Sequence, residues 1–187
     1  HEAAVLDFMM ERADEGAAEI DDIKKPLEDA FHAVVSGRTE SDGFNRLVLT
    51  AGLAWRDVTI LRTIAKFLRQ AGFSFSQDYV EQALARNPDL ARLLIEQFHV
   101  LNDPQAVGRV ERDAETIALR IEGALNDVQS LDDDRIIRRL RNVIASILRT
   151  NFYQRDKDGE PKPYVAIKLD SQNLDDLPLP RPLVEVF

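Results

Sequence analysis

The side chains that could most readily bind a ligand, by type and by spacing, lie between residues 130 and 149. An acidic triplet, Asp132–Asp134, could bind a divalent cation, and the arginines after it could bind phosphate or nucleic acid. Those arginines are Arg135, Arg138, Arg139, Arg141 and Arg149. However, aspartates at the start of a helix satisfy free N–H groups, and mixed charges opposite an apolar stripe are typical of a solvated helix face. The pattern therefore favours helix capping and ion pairing over a metal or anion site.

No other residues form a recognisable catalytic constellation. The three histidines, at positions 1, 32 and 99, lack metal-ligand spacing, and structural roles are favoured for His32 and His99. The chain has no cysteine, its serines lack a Gly-x-Ser-x-Gly elbow, and its glycines form neither a dinucleotide fingerprint nor a phosphate loop. We therefore predict no catalytic, cofactor-binding or metal-ligating residue.

Trp55, Phe67, Phe73 and Phe75 form the densest aromatic group in the chain. Such a group could line a ligand pocket, but aromatic residues at helical spacing are more often part of a core. The core interpretation is favoured.

Composition limits the classes of partner. The chain has 187 residues, 44% of them apolar, and a formal net charge of −9. This charge argues against nucleic acid or an anionic membrane surface, because phosphate binding requires clustered cations. No apolar run approaches the ~20 residues of a membrane span, and no signal peptide is visible. Together with the lack of cysteine, this suggests a cytoplasmic protein. Because His1 stands where Met would begin a protein, we expect a cut or a tag remnant at this end.

Apolar residues at helical spacing predict a mainly helical fold. The first helix should begin just before Pro26, which is tolerated in a first turn, and should end at Gly37. Further helices are expected over residues 43–50, 54–71, 76–87, 88–101, 105–130 and 132–149. The last two are joined by a short acidic turn, and each carries one apolar stripe. We therefore expect them to form a long antiparallel helical hairpin.

The pattern changes after Thr150. Residues 164–170 alternate as in a strand, Asp158-Gly159 suits a hairpin turn, and prolines 178, 180 and 182 indicate an extended connector. A second apolar run occupies residues 183–187. The expected fold class is mainly α, a multi-helix module with short, truncated β segments at its C-terminus.

Three blocks resemble the large bacterial NAD-dependent glutamate dehydrogenases. They are DGFNRLVLTAGLAWRDVTILRTIAKFLRQAGFSFSQDYVEQAL at 42–84, SLDDDRIIRRLRNVIASILRTNFYQ at 130–154, and residues 164–187 with IKLDS and LPLPRPLVEVF. The resemblance implies that residues 1–19 comprise the end of a preceding ACT-like domain and a linker. It further implies a helical domain over residues 20–150 and the start of a truncated catalytic domain over residues 151–187.

The resemblance also implies a function. The parent would convert L-glutamate to 2-oxoglutarate and ammonia with NAD, whereas this fragment would be inactive and bind no cofactor itself. Its expected partners are the ACT-like and catalytic domains of the same polypeptide, in a homo-oligomeric parent. Arg149, Asn151, Phe152 and Tyr153 are expected to form an interdomain contact. The alternative is a self-standing helical module for protein–protein interaction, and the net charge disfavours a third possibility, nucleic-acid binding.

Overall fold

The computed structural model describes residues 20–106, 110–175 and 177–187. The expected ACT-like end and linker, residues 1–19, lie outside them. The helices are α1 Ile20–Val35, α2 Arg46–Thr50, α3 Trp55–Gln70, α4 Gln77–Arg86, α5 Pro88–Asn102, α6 Val110–Leu125 and α7 Leu131–Ala145. Three strands, β1 Ile147–Thr150, β2 Ile167–Asp170 and β3 Val184–Val186, form an antiparallel sheet in the order β1-β2-β3. The prediction of a mainly helical fold with β segments at the C-terminus is confirmed.

Local signals account for most helix ends. Gly37 and Gly72 have φ angles of +70° and +89° just beyond α1 and α3, as glycine allows at a helix C-terminus. Ser76 caps α4 through its side chain, and Pro88 begins α5. The expectation that Pro26 lies in a first turn is wrong, because α1 already begins at Ile20. Proline removes one amide donor, and near a helix start the carbonyl left without that donor can be hydrated.

The expected helix over residues 132–149 is too long and starts from a different cap. Ser130 is the N-cap of α7, accepting a hydrogen bond from the Asp133 amide, so the aspartates form the first turn. The helix ends at Ala145, and Ile147–Thr150 is strand β1. There Ile147 pairs with Leu169 and Thr150 with Ile167. Pairing with β2 overrides the helical pattern, and Leu148, within the expected helix, lies on β1 and is 52% exposed.

In the expected hairpin, the last two helices, α6 and α7, bury their apolar stripes on each other. The structure corrects the helices against which they pack. Helix α6 packs mainly along α5, and α7 packs on α5, α4 and α3. Helix α5 can serve both neighbours because it is buried on several sides. Its buried apolar residues are Leu90, Ala91, Leu93, Leu94, Ile95 and Phe98. The stripe of α6, represented by Ile117, Ile121 and Leu125, is buried as expected, whereas Val107 lies outside the described residues.

A buried ion pair holds the segment before α2 against α3. Arg62 is 3% exposed and donates Nε to Asp42 Oδ2 at 2.6 Å and a terminal nitrogen to Asp42 Oδ1 at 2.8 Å. Thr39 Oγ1 and Asn45 Oδ1 accept further hydrogen bonds from Arg62 at 3.0 and 2.8 Å. The guanidinium is therefore matched in charge and in hydrogen bonding inside the protein.

Removal of the Asp42 charge tests this buried pair. Asp42→Asn keeps the side-chain shape but leaves the Arg62 charge uncompensated, so we expect the free energy of unfolding to fall by about 3 kcal/mol. Chemical denaturation measures it. Asp89→Asn is the matched control, because the Asp89 side chain also pairs with an arginine but is 80% exposed. If the two substitutions lowered the free energy of unfolding by equal, small amounts, the pair of Arg62 with Asp42 would not stabilise the fold.

Candidate functional site

The segment between β1 and β2, here called the returning segment, turns back on itself. Hydrogen bonds of Asn151 join the two ends of this segment. The backbone amide of Asn151 donates to the Ala166 carbonyl at 3.3 Å. Its side-chain Nδ2 donates to the Tyr164 carbonyl at 3.1 Å, and its Oδ1 accepts from the Ala166 amide at 2.7 Å. A single amide side chain thus satisfies backbone groups on the returning segment just before β2 begins.

The loop beyond Asn151 closes in a tight turn. Arg155 and Pro161 form an antiparallel bridge, and Gly159 has a φ of +82°. Asp156 Oδ1 accepts from the amides of Asp158 and Glu160, both at 2.9 Å. The expected turn at Asp158-Gly159 is confirmed, because the left-handed conformation there favours glycine.

Phe152 and Tyr153 attach this returning segment to the helices. The ring of Phe98, which is fully buried on α5, meets Phe152 edge to face at 5.3 Å between centroids. The Tyr153 ring lies nearly parallel to Phe98, with 6.3 Å between centroids and 9° between planes. Aromatic pairs of this kind stabilise a contact by about 0.5–1.5 kcal/mol beyond the area they bury. We call these three residues, together with Asp57 and His99, the helix–sheet junction.

A short hydrogen-bond chain completes the helix–sheet junction. Tyr153 Oη lies 2.7 Å from His99 Nδ1, and His99 Nε2 lies 3.0 Å from Asp57 Oδ1. With a neutral imidazole, all three groups are satisfied when Tyr153 donates to Nδ1 and Nε2–H donates to the carboxylate. Burial, with smaller contributions from Asp103 and Asp57, raises the pKa of Tyr153 far above its ordinary range. Tyr153 therefore keeps its proton and remains a hydrogen-bond donor.

Arg56 links α3, the helix that also carries Asp57, to the returning segment. Its terminal nitrogens donate to the carbonyls of Phe152 at 3.2 Å and Lys162 at 3.3 Å. Its guanidinium carbon lies 5.0 Å from the Phe152 ring centroid and 5.7 Å from that of Trp55. Burial lowers the pKa of Arg56, although the nearby Asp57 opposes the shift. Arginine suits this position because its planar group can stack on rings while its edge donates hydrogen bonds.

The Asp57–His99–Tyr153 chain joins residues of α3, α5 and the segment after β1. The His99 and Tyr153 rings lie beside Phe98 and Phe152, and the His99 side chain is 36% exposed. The arrangement positions the segment after β1 on α3 and α5.

The structure locates the four residues expected at the interdomain contact, and His99. Asn151, Phe152 and Tyr153 all lie where the returning segment meets the helices, whereas Arg149 is exposed on β1. His99 has the expected structural role. Asp57 and the pairing of His99 with both Asp57 and Tyr153 were missed, because these partners are 42 and 54 positions away from His99 in the chain. No local spacing signals such distant contacts.

The charged stretch of α7 is ion-paired, as expected. Arg138 pairs with Asp134 at 2.9 Å and with Glu122 of α6 at 3.1 Å, and Arg141 also pairs with Glu122. Arg139 approaches Asp175 at 3.8 Å. Hydrogen bonds from Arg141 and Arg138 hold the pKa of Glu122 below its ordinary value.

The acidic triplet has two further uses beyond the first turn of α7. Asp133 is buried and receives two hydrogen bonds from Arg86 of α4, at 2.7 and 3.0 Å, which lower its pKa. Asp132 accepts from the Tyr79 hydroxyl at 3.2 Å. Within the described residues, no group of three or more His, Asp or Glu side chains is arranged to hold a metal ion. None of the helices in that part of the chain has the length and apolarity that a membrane span requires.

Two family models match the chain. Residues 39–104 match the model described as glutamate dehydrogenase, helical motif 3. Residues 120–187 match the model described as bacterial NAD-glutamate dehydrogenase, catalytic domain. The first match includes α2 to α5, and the second begins within α6 and continues through the sheet.

Individual relatives agree with these matches. The chain is 38% identical over 183 residues to the NAD-specific glutamate dehydrogenase of Halomonas elongata and 40% identical over 186 residues to that of Pseudomonas aeruginosa. Each alignment covers 98% of this chain but only 11% and 12% of the relative. The enzyme of the same name from Mycobacterium tuberculosis is 41% identical over 161 residues, which is 85% of this chain and 10% of that protein. The chain is therefore similar over almost its whole length to NAD-specific glutamate dehydrogenases and corresponds to a small segment of them, about a tenth of their length.

Tyr153→Phe tests the hydrogen-bond chain at the helix–sheet junction. Loss of the hydroxyl should lower the free energy of unfolding by about 1 kcal/mol at neutral pH. Because the folded-state pKa of Tyr153 is raised, its contribution is complete below the unfolded pKa of about 10 and is lost as the pH rises beyond that. Stability should consequently fall less steeply above pH ~10 in the variant.

Tyr164→Phe is the matched control, because Tyr164 is 60% exposed and its hydroxyl has no hydrogen bond within the described residues. It should retain the steep alkaline fall. Identical pH profiles for Tyr153→Phe and the unchanged chain would contradict the role assigned to the hydroxyl.

Proposed function

We propose that this chain is the connecting segment of an NAD-specific glutamate dehydrogenase, joining its helical region to its catalytic region. The parent enzyme would oxidise L-glutamate with NAD to give 2-oxoglutarate, ammonia and NADH. The segment itself would be non-catalytic and would bind no cofactor. Its task would be to hold the first strands of the catalytic region at a fixed position against the helices.

The helix–sheet junction carries this proposal. Phe152 and Tyr153 immediately follow β1, and they pack on Phe98 and hydrogen-bond to His99 of α5. Arg56 adds hydrogen bonds from α3 to the carbonyls of the same returning segment. On this proposal Asn151, Phe152 and Tyr153 form the interdomain contact, and exposed Arg149 lies beside it on β1.

The core supports a rigid connection. Ile167, Leu169, Leu174 and Leu177 belong to the same cluster of buried residues as the helices, so the core continues across residue 151. The catalytic-domain match likewise begins at residue 120, before the expected boundary at residue 151. A hinge at residue 151 would have to separate packed apolar side chains, whose burial stabilises the fold by about 25 cal/mol per Å².

The alternative, a self-standing interaction module, would need an apolar surface that is free to bind a partner. That module would offer the apolar stripe of α6 to a partner helix. The stripe is already covered, since Ile117 and Ile121 are at most 1% exposed and α6 packs along α5.

The remaining partners follow from this assignment. The segment would contact the ACT-like and catalytic domains of the same polypeptide, in a homo-oligomeric parent in the cytoplasm. NAD would bind the catalytic region outside this chain and supply the hydride acceptor, while the protein positions it.

The decisive experiment compares the isolated chain with the complete parent enzyme. We expect NADH formation from L-glutamate and NAD by the parent alone, and no binding of NAD to the chain in calorimetry. In the parent, Phe152→Ala should weaken the contact by about 2 kcal/mol and lower the activity by moving the catalytic region.

Leu119→Ala is the control in the parent, because Leu119 is an apolar residue 69% exposed on α6. It should leave the activity unchanged. NADH formation by the isolated chain would refute the non-catalytic assignment. Full activity of a folded Phe152→Ala parent would refute the positioning role.

A further inference from the structure

A cavity of about 320 Å³ lies beside the helix–sheet junction, between the ends of α1 and α3 and the turn that follows β1. Its walls come from three separate parts of the chain: Arg38 beyond α1, Trp55 and Arg56 at the start of α3, and the segment around Lys162 and Tyr164. Its volume is at the lower end of the range of about 300–1,000 Å³ that is usual for small-molecule sites.

Most of the cavity wall is apolar. The apolar lining residues are Trp55 on α3 and Pro161, Pro163 and Val165 on the segment before β2. Tyr164 also lines the cavity and is 60% exposed, which leaves a large aromatic side chain without a full covering of protein atoms. A flat or apolar molecular body would find van der Waals partners among these side chains.

The polar part of the cavity is rich in cations. Arg38 makes no ion pair within the described residues, and its guanidinium carbon lies 5.2 Å from the Trp55 ring centroid. Arg56 donates only to backbone carbonyls, so its charge has no hydrogen-bonded carboxylate partner in that part of the chain. Burial is the main cause that lowers the pKa of Arg56; Asp57 opposes it, and the neighbouring charges of Arg155 and Arg38 add to the lowering.

Two acidic residues, Asp156 and Glu160, also line the cavity, but the lining cations Arg38, Arg56 and Lys162 outnumber them. Asp156 uses Oδ1 to accept from the amides of Asp158 and Glu160, which ties its carboxylate to the turn. Glu160 is exposed, and its side chain makes no ion pair within the described ranges. An anion entering between Arg38 and Arg56 would meet two guanidinium groups that can each donate to its oxygens.

We propose that this cavity binds a small organic anion, with its carboxylate or phosphate held by Arg38 and Arg56 and its apolar body between Trp55 and Tyr164. The site is distinct from the contacts of Phe98, His99 and Tyr153. Binding of the anion does not depend on the proposed function.

Trp55 is the chain's single tryptophan, so its fluorescence reports directly on this cavity. The probes are phenyl phosphate, phenylacetate and inorganic phosphate, titrated into the chain while fluorescence and heat are recorded together. We expect saturable binding of an aromatic anion, and the tighter of the two aromatic probes identifies the preferred acidic group. Arg38→Gln should weaken that binding roughly tenfold or more, because a charge-assisted contact is lost.

Two variants make this test selective. Arg38→Lys keeps the charge and should retain part of the affinity that Arg38→Gln loses. Arg92→Gln removes a surface arginine that pairs with Asp89, and it should bind as the unchanged chain does. An unchanged thermal unfolding curve for each variant establishes that the fold is intact.

Several results would overturn the proposal. One is the absence of both heat and fluorescence change with all three probes at millimolar concentration. Another is an affinity for the aromatic anion that Arg38→Gln does not change. Inorganic phosphate binding as tightly as phenyl phosphate would exclude a role for the apolar walls.

Discussion

The contact of Phe98 with Phe152 and Tyr153 is the interaction on which this arrangement depends. The strands are short, three or four residues each, and a small sheet of this kind has little stability of its own. Phe98 presents a buried aromatic surface from the centre of the helical core, and the two residues after β1 pack on it. This packing directs the chain back towards β2, and the hydrogen bond from Tyr153 to His99 fixes its orientation.

Further contacts beyond β1 add to the one with Phe98. Asn151 aligns the end of the turn with the start of β2, and β2 then turns Ile167 and Leu169 into the core. Phe187, next to β3, meets Phe67 of α3 edge to face at 5.8 Å. The sheet is therefore attached to the helices at both ends. The proposed role as a connector to a catalytic region rests on this attachment at both ends.

Local signals in the sequence were sufficient for most helices and for the β2 strand. Gly37, Gly72 and Pro88 mark chain turns through their own backbone preferences, and Ile167 and Leu169 alternate as a half-buried strand must. The misassigned residues are those whose state is decided by distant partners. Ile147 continues a helical stripe in the sequence, yet it pairs with Leu169 because β2 is available there. Asp57, His99 and Tyr153 likewise meet only in the folded chain, and no spacing in the sequence connects them.

The central claim, that helices and sheet form one cooperative unit, is tested most directly by native-state hydrogen exchange. The amides of β2, Ile167–Asp170, should exchange with the same free energy of opening as the amides in the middle of α3 and α5. This equality should persist at rising denaturant concentration until global unfolding. Exchange of the β2 amides at a much lower free energy, while α3 and α5 remain protected, would show that the sheet detaches on its own and would contradict the account.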